Sequence, residues 1–251
     1  MSGSLVIAGL GPGDPRKVTV EVDAALAEAT DIVGYIPYVA RVPDREGLTK
    51  HASDNRVEID RANHALQMAA DGRQVVVVSS GDPGVFAMAS AVFEALEAGP
   101  EAWRAMDVRV LPGITAMLAA SASAGAILGH DFCAINLSDN LKPWPLIEKR
   151  LRLAVEGDFA CAFYNPRSKA RPEGFVRVLD LLRGICEPER LITFARAVST
   201  DEEALNTVPL SDAKPEMADM RTVVLLGSSL TRLIERPGQG PLVYTPRSVT
   251  P

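Results

Sequence analysis

The amino-acid sequence predicts an α/β protein of two domains, with mixed, largely parallel sheets. Three observations carry that prediction. Short β-rich runs alternate with longer helical patterns. The alternation runs once as far as Leu111 and starts again after Pro112-Gly113. The length, 251 residues, exceeds what a typical single domain needs. The expected domains are residues 1–112 and residues 113–251.

Each element has its own signal. Ser4–Gly9 reads as a buried first strand, and Val18–Ala29 as a helix carrying Val22, Ala25, Leu26 and Ala29 on one face. Asp31–Tyr35 is a second strand, and Asp60 is placed to cap a helix through about Ala70. Gln74–Ser79 is a strongly β-branched strand, Phe86–Ala98 is helical, and Asp107–Leu111 completes the first layer system. After Pro112-Gly113 come a helix, strand Cys133–Leu137, helix Trp144–Val155, strand Phe159–Tyr164, helix Glu173–Arg183 and strand Leu191–Ala197. Thr207–Leu210 and Thr222–Leu226 read as further strands of the same sheet, and Arg236–Pro251, rich in proline and glycine, as irregular.

Composition narrows the function classes. Apolar residues are 47% and charged residues 23% of the chain, and no apolar run is long enough to span a bilayer, so no membrane partner is expected. The first residues lack a basic segment ahead of an apolar run, which gives a cytoplasmic expectation. Cys133, Cys161 and Cys186 show no metal-like spacing, so neither a disulfide framework nor a metal site is expected. A net charge of −6 argues against a nucleic-acid partner but leaves room for a small anionic substrate met by local cations.

In open α/β sheets ligands collect beyond the carboxyl ends of strands, so the loops there are the informative ones. Gly9-Leu10-Gly11-Pro12-Gly13-Asp14 lacks the free chain and third small residue of a dinucleotide fingerprint, and an ordinary glycine turn explains it equally well. Ser79-Ser80-Gly81-Asp82-Pro83-Gly84-Val85-Phe86 has two glycines that let backbone approach a ligand and a stiffening Pro83, while Asp82 also suits a helix cap. Pro112-Gly113-Ile114-Thr115-Ala116 puts a hydroxyl and small side chains at a helix entrance, where free amides bind carboxylates or a cap forms.

In this order, and followed by Ala-Phe-Tyr-Asn-Pro at 162–166, the three loops resemble the tetrapyrrole (corrin/porphyrin) methylase family across nearly the whole chain. The resemblance implies the tetrapyrrole methylase fold, with the active-site cleft between two α/β domains, S-adenosylmethionine as methyl donor with S-adenosylhomocysteine as product, and a homodimer. By motif it assigns donor contacts to Pro12, Gly81, Asp82, Val85, Phe86, Thr115 and Ala116. The adenine side falls to Phe163 or Tyr164, Ala197, and Thr222 with Val223. A sulfonium needs an uncrowded pocket free of lysine, and adenine needs apolar walls with backbone polar groups.

Gly-His-Asp-Phe-Cys-Ala-Ile-Asn-Leu-Ser-Asp at 129–139, Gly-Tyr-Ile-Pro-Tyr at 34–38 and Tyr-Asn-Pro-Arg-Ser at 164–168 are similar to the members that methylate precorrin-3B at carbon 17 on the way to cobalamin. There the resemblance implies ring contraction as well. Methyl transfer asks mainly for alignment and water exclusion, whereas contraction moves protons. Asp139 and Tyr38 are the candidate catalytic groups, Tyr35, Ser138 and Arg167 the candidate pigment contacts, and His130 a weaker candidate. Lys169 and Arg171 join Arg167 as cations for an anionic tetrapyrrole, or form a solvated charged turn. Another tetrapyrrole or RNA methylase of this fold, and a non-catalytic nucleotide-binding module, stay open.

Overall fold

The computed structural model describes residues 3–54 and 57–248, which divide into two units, one ending at Thr115 and one beginning at Ala116. The first unit runs β1 (Ser4–Gly9), α1 (Val20–Glu28), β2 (Asp31–Tyr35), α2 (Ile36–Val39), β3 (Thr49–Ser53), α3 (Glu58–Ala70), β4 (Gln74–Ser79), α4 (Met88–Ala98) and β5 (Asp107–Leu111). Its strands form one wholly parallel sheet in the order β3-β2-β4-β1-β5.

Side chains alternate across that sheet, and helices cover both faces. Leu5, Ile7, Val75 and Val77 pack with Ala62, Leu66 and Val92 of α3 and α4, whereas Val6, Ala8, Val76 and Val78 pack with Val22 and Val39. A strand buried on both sides needs an unbroken apolar run, which is why β4 reads Val-Val-Val-Val.

The order also places a ligand crevice. The chain leaves β1 across β4 to reach β2, and leaves β4 across β1 to reach β5. Connections from these two neighbours therefore depart in opposite directions, and the carboxyl ends of β1 and β4 form a topological switch point.

Among the differences from the expectation, three concern the first unit's α3, α4 and β3. Helix α3 starts at Glu58, with Val57 at its N-cap, so Asp60 lies inside the first turn and favours the helix dipole instead of capping. Helix α4 starts at Met88 because Phe86 is held at φ +53°, which no helical residue adopts. Edge strand β3, Thr-Lys-His-Ala-Ser, lacks a hydrophobic alternation and was not anticipated.

The second unit runs α5 (Ala116–Ala124), β6 (Gly125–Ala126), β7 (Phe132–Asn136), α6 (Trp144–Glu156), β8 (Ala160–Tyr164), α7 (Gly174–Arg183), β9 (Leu191–Arg196), β10 (Ala204–Pro209), β11 (Thr222–Leu226), β12 (Arg232–Ile234) and β13 (Leu242–Tyr244). The main sheet has the order β10-β9-β11-β8-β7. Helices α6 and α7 cover one face, where Ile147, Leu151, Phe175 and Leu179 meet Phe163, Phe194 and Val224. On the other face, Ala119 and Ala120 of α5 pack against Ala162, Ala195, Val223 and Leu225.

The main sheet of this unit supplies the mixed pairing. In the main sheet β7 and β8 are parallel, whereas β8–β11, β11–β9 and β9–β10 are antiparallel. Only residues 197–203 separate β9 from β10, too few for the crossover that a parallel pair requires. The tail is not wholly irregular. Strand β13 pairs with β12 and with β6, and Thr245 donates its hydroxyl to the Ile127 carbonyl at 2.6 Å.

Candidate functional site

In the first unit the three glycine loops meet backbone to backbone. Gly11 N–H donates to the Gly81 carbonyl at 3.2 Å, and Gly81 N–H returns the bond to Gly11 at 2.9 Å. A Cβ on Gly9 would lie 2.6 Å from the Gly81 oxygen and 2.7 Å from the Gly113 nitrogen; one on Gly113 would lie 2.2 Å from the same Gly81 oxygen. No side chain fits at this junction, so the loops after β1, β4 and β5 form one cradle. Gly11 and Gly81 also have φ of +64° and +65°, a region costly for other residues.

Asp82 seals the cradle. One carboxylate oxygen accepts from Gly84 N–H at 2.8 Å and the other from Gly113 N–H at 3.1 Å. The residue thus ties the second loop to the third and does not cap α4, which begins at Met88. Pro12 and Val85 remain partly exposed, and Phe86 is 46% exposed in its left-handed conformation. Thr115 is buried at the end of the third loop.

Beside the cradle, the carboxyl end of β2 carries the two candidate tyrosines. Their rings meet edge to face at 5.3 Å. Burial, reinforced by Tyr35, pushes the Tyr38 phenol above its ordinary pKa. It therefore stays protonated at neutral pH and is suited to donate a proton or a hydrogen bond.

In the second unit the remaining candidates gather at one end of the main sheet. Because β11 runs against β8 and β9, its first residue, Thr222, lies at the end where β8 finishes with Tyr164 and β9 leads into Ala197. Ala197 and Ser199 have φ of +49° and +63°, and Asn165 has +53°. With Phe86, four of the five left-handed non-glycine residues among those described lie in loops at strand carboxyl ends, where strain marks functional geometry. Ala197 N–H donates to the Arg221 carbonyl at 2.9 Å, and Thr222 donates its hydroxyl to Asp219 at 2.8 Å.

Tyr164 accepts at its hydroxyl from Met117 N–H at 3.0 Å, holding the first turn of α5, whose first residue is Ala116. Phe163 has only its backbone to offer a ligand. Its side chain is wholly buried in the core under α6 and α7, so of the adjacent aromatic pair only Tyr164 offers side-chain surface. Val223 is likewise nearly buried, beneath α5, and retains its backbone for a ligand.

The loops after β7 and β8 are joined by one amide: Asn136 Oδ1 accepts from Ser138 N–H at 2.9 Å and from Asn165 Nδ2 at 3.1 Å. Asp139 is exposed and lies 3.8 Å from Arg171, which also donates to the Leu137 carbonyl at 3.5 Å. Arg167 is partly buried, and its Nε has no partner among the described residues. His130 precedes β7 and Asp139 follows it, so the two lie at opposite ends of the strand; His130 contacts Asp131 at 3.7 Å. It does not belong to this group.

A cradle of close backbone at a switch point, without lysine or arginine in its three loops, is matched by one family model. The model for tetrapyrrole (corrin/porphyrin) methylases covers residues 4–214. The chain belongs to this family and is a methyltransferase. It is 50% identical over 247 residues to the precorrin-3B C(17)-methyltransferase of Sinorhizobium sp, a match spanning 98% of this chain and 97% of that protein. It is 36% identical to the probable cobalt-factor III C(17)-methyltransferase of Salmonella typhimurium, over 98% and 99% of the two chains. The crystal structure of the methyltransferase CobJ aligns with a TM-score of 0.93 at 70% identity, covering 98% of this chain and all of that one.

Proposed function

We propose that this protein methylates precorrin-3B at carbon 17, using S-adenosylmethionine, with ring contraction to precorrin-4 in cobalamin biosynthesis. The observation that carries the reading is the glycine cradle at the switch point, in a chain whose full-length relatives are C(17)-methyltransferases.

The residues fit the donor. Bound S-adenosylmethionine supplies an electrophilic methyl group on a sulfonium. The loops at 9–14, 79–86 and 112–116 bring no cation against it, and at Gly9, Gly81 and Gly113 the backbone itself forms the floor. Contacts to the donor are assigned to Pro12, Gly81, Asp82, Val85 and Phe86, with Thr115 and Ala116. Tyr164, Ala197, Thr222 and Val223 are assigned to the adenine side. Holding donor and pigment carbon in line, in a site free of water, supplies most of the rate for methyl transfer.

Contraction needs protons moved. Tyr38 donates as a neutral phenol, and Asp139 exchanges a proton from its exposed loop. Tyr35, Ser138 and Arg167 hold the pigment, Arg167 through a pigment carboxylate. The reading keeps two domains, residues 1–112 and 113–251, beside a structural division that falls between Thr115 and Ala116. The reading includes a homodimer in the cytoplasm, for which light scattering and cell fractionation are the checks; among the described residues no helix is long and apolar enough to cross a membrane.

The decisive experiment titrates the protein with S-adenosylhomocysteine, NAD and RNA, then supplies S-adenosylmethionine with the lactone form of precorrin-3B, with and without cobalt. Expected are one S-adenosylhomocysteine per chain, preferred over NAD by well over tenfold, or about 1.4 kcal/mol, and a methylated, contracted product. Methylation without contraction refutes the carbon-17 assignment; equal or tighter NAD binding refutes the methyl donor.

A further inference from the structure

The cradle is built of backbone, yet one charged side chain holds it from outside the glycine motifs. Arg41 lies just past α2, and its N–H donates to the Tyr38 carbonyl at 3.1 Å. Its guanidinium reaches back to the loop after β1. Nη1 donates to the Gly11 carbonyl at 3.2 Å, and Nη2 donates to the Leu10 carbonyl. The same Gly11 oxygen accepts the Gly81 N–H that joins the first loop to the second. A planar guanidinium fixes two acceptors in one geometry, which a flexible ammonium does not.

The arrangement differs from that of the arginines held by carboxylates, although Arg45 and Arg61 likewise donate to backbone carbonyls. Arg16 pairs with Asp14, Arg190 with Asp158 and Glu187, and Arg196 with Asp219. Arg41 instead spends a half-buried charge on two carbonyl dipoles, and burial draws its pKa below the ordinary value. Burying a cation without a carboxylate is costly, and a neutral side chain would close an ordinary turn more cheaply. The two carbonyls it holds immediately precede Pro12 and Gly13.

We propose that Arg41 is a positioning residue for the methyl donor: by holding the Leu10 and Gly11 carbonyls it sets the path of the Pro12-Gly13 turn against which the donor lies. This rests on the reading that the donor is S-adenosylmethionine.

The test compares wild type, Arg41→Ala and Arg41→Lys by calorimetry with S-adenosylhomocysteine, by steady-state kinetics and by thermal unfolding. Two charge-assisted bonds are lost in the alanine variant, so its Kd for S-adenosylhomocysteine and its KM for the donor should rise by about tenfold to a hundredfold. Its kcat at saturating donor should stay within about threefold of wild type. Lysine, reaching one carbonyl, should recover part of the affinity. In hydrogen exchange of the free protein, the amides of Gly11 and Gly13 should exchange faster in Arg41→Lys while the interior of β1 is unchanged.

Unchanged Kd and KM in the alanine variant overturn the proposal, as does a fall in kcat with KM intact. Where alanine prevents folding, wild-type affinity and wild-type exchange in the lysine variant overturn it. Failure of the wild type itself to bind S-adenosylhomocysteine refutes the reading of the donor, and the role of Arg41 falls with it.

Discussion

A single methyl group added at Gly113 probes the loop junction. The backbone there is not left-handed, so alanine meets no torsional penalty and the cost is steric. The new Cβ would sit 2.2 Å from the Gly81 oxygen and 2.8 Å from the Gly9 oxygen, against ordinary contacts that begin at 3.4 Å. The loops must part by about 1 Å, and all the opposing atoms are backbone. That backbone is pinned by the Gly11–Gly81 bonds and by Asp82 on Gly113. Overpacking of this kind costs about 1–3 kcal/mol, and releasing one buried bond adds about 1–2 kcal/mol. For a chain of this size Gly113→Ala should therefore lower Tm by roughly 5–15 °C and weaken S-adenosylhomocysteine binding by more than about tenfold. Gly174→Ala is the control: nothing lies within 4 Å of its Cβ at the first residue of α7, so it should be neutral or stabilising by up to about 1 kcal/mol. Scanning calorimetry and titration read both variants. A Gly113→Ala protein with wild-type Tm and wild-type affinity would refute the junction.

Four further outcomes are expected. Asp82→Asn keeps the shape but loses one of two acceptors, so Gly113 is released and S-adenosylhomocysteine binding should weaken about tenfold by calorimetry. Burial opposes ionisation of Asp31, but hydrogen bonds from His51, Thr30 and Arg73 outweigh it and hold the carboxyl below the ordinary range. Its contribution is therefore full above the unfolded value of about pH 4 and is lost as pH falls through the lower folded value, so the stability gap between wild type and Asp31→Asn should shrink in acid unfolding below about pH 4. Tyr38→Phe and Asp139→Asn should each bind S-adenosylhomocysteine normally and yield methylated or unchanged pigment in place of contracted product, read by mass and absorption; normal contraction in both removes these two roles. Tyr164→Phe loses the acceptor for Met117 N–H and should cost about 1 kcal/mol of stability by denaturant titration.

What was legible in the sequence was whatever has a local signature. The buried strand Gln74–Ser79 shows as a run of valines, and the three glycine loops show because close backbone contact excludes other residues. What was not legible depends on partners distant along the chain. The polar edge strand Thr49–Ser53 exists because β2 pairs with it, and Leu242–Tyr244 because β6 and β12 do, despite flanking proline and glycine. Strand direction in the second unit was open to inference from the short 197–203 connection. Arg41 carries no motif; its role follows from bonds spanning thirty and thirty-one positions. Asn136 and Asn165 stood inside quoted motifs, but their shared bond appears only when β7 and β8 lie side by side. Phe163 shows the opposite case, a motif residue whose side chain faces the core and leaves its backbone for a ligand.

Strand β13 has a consequence for synthesis. The first unit draws on one uninterrupted stretch and can close while the ribosome is still extending the chain. The small sheet of the second unit cannot, because its early β6 waits for Leu242–Tyr244, and the Thr245 hydroxyl reaches back 118 positions to Ile127. Until those residues leave the exit tunnel, the backbone at Gly125 and Ala126 is an unpaired edge. A nascent chain stalled before Leu242 should therefore expose a protease-sensitive stretch around Gly125 behind a folded first half.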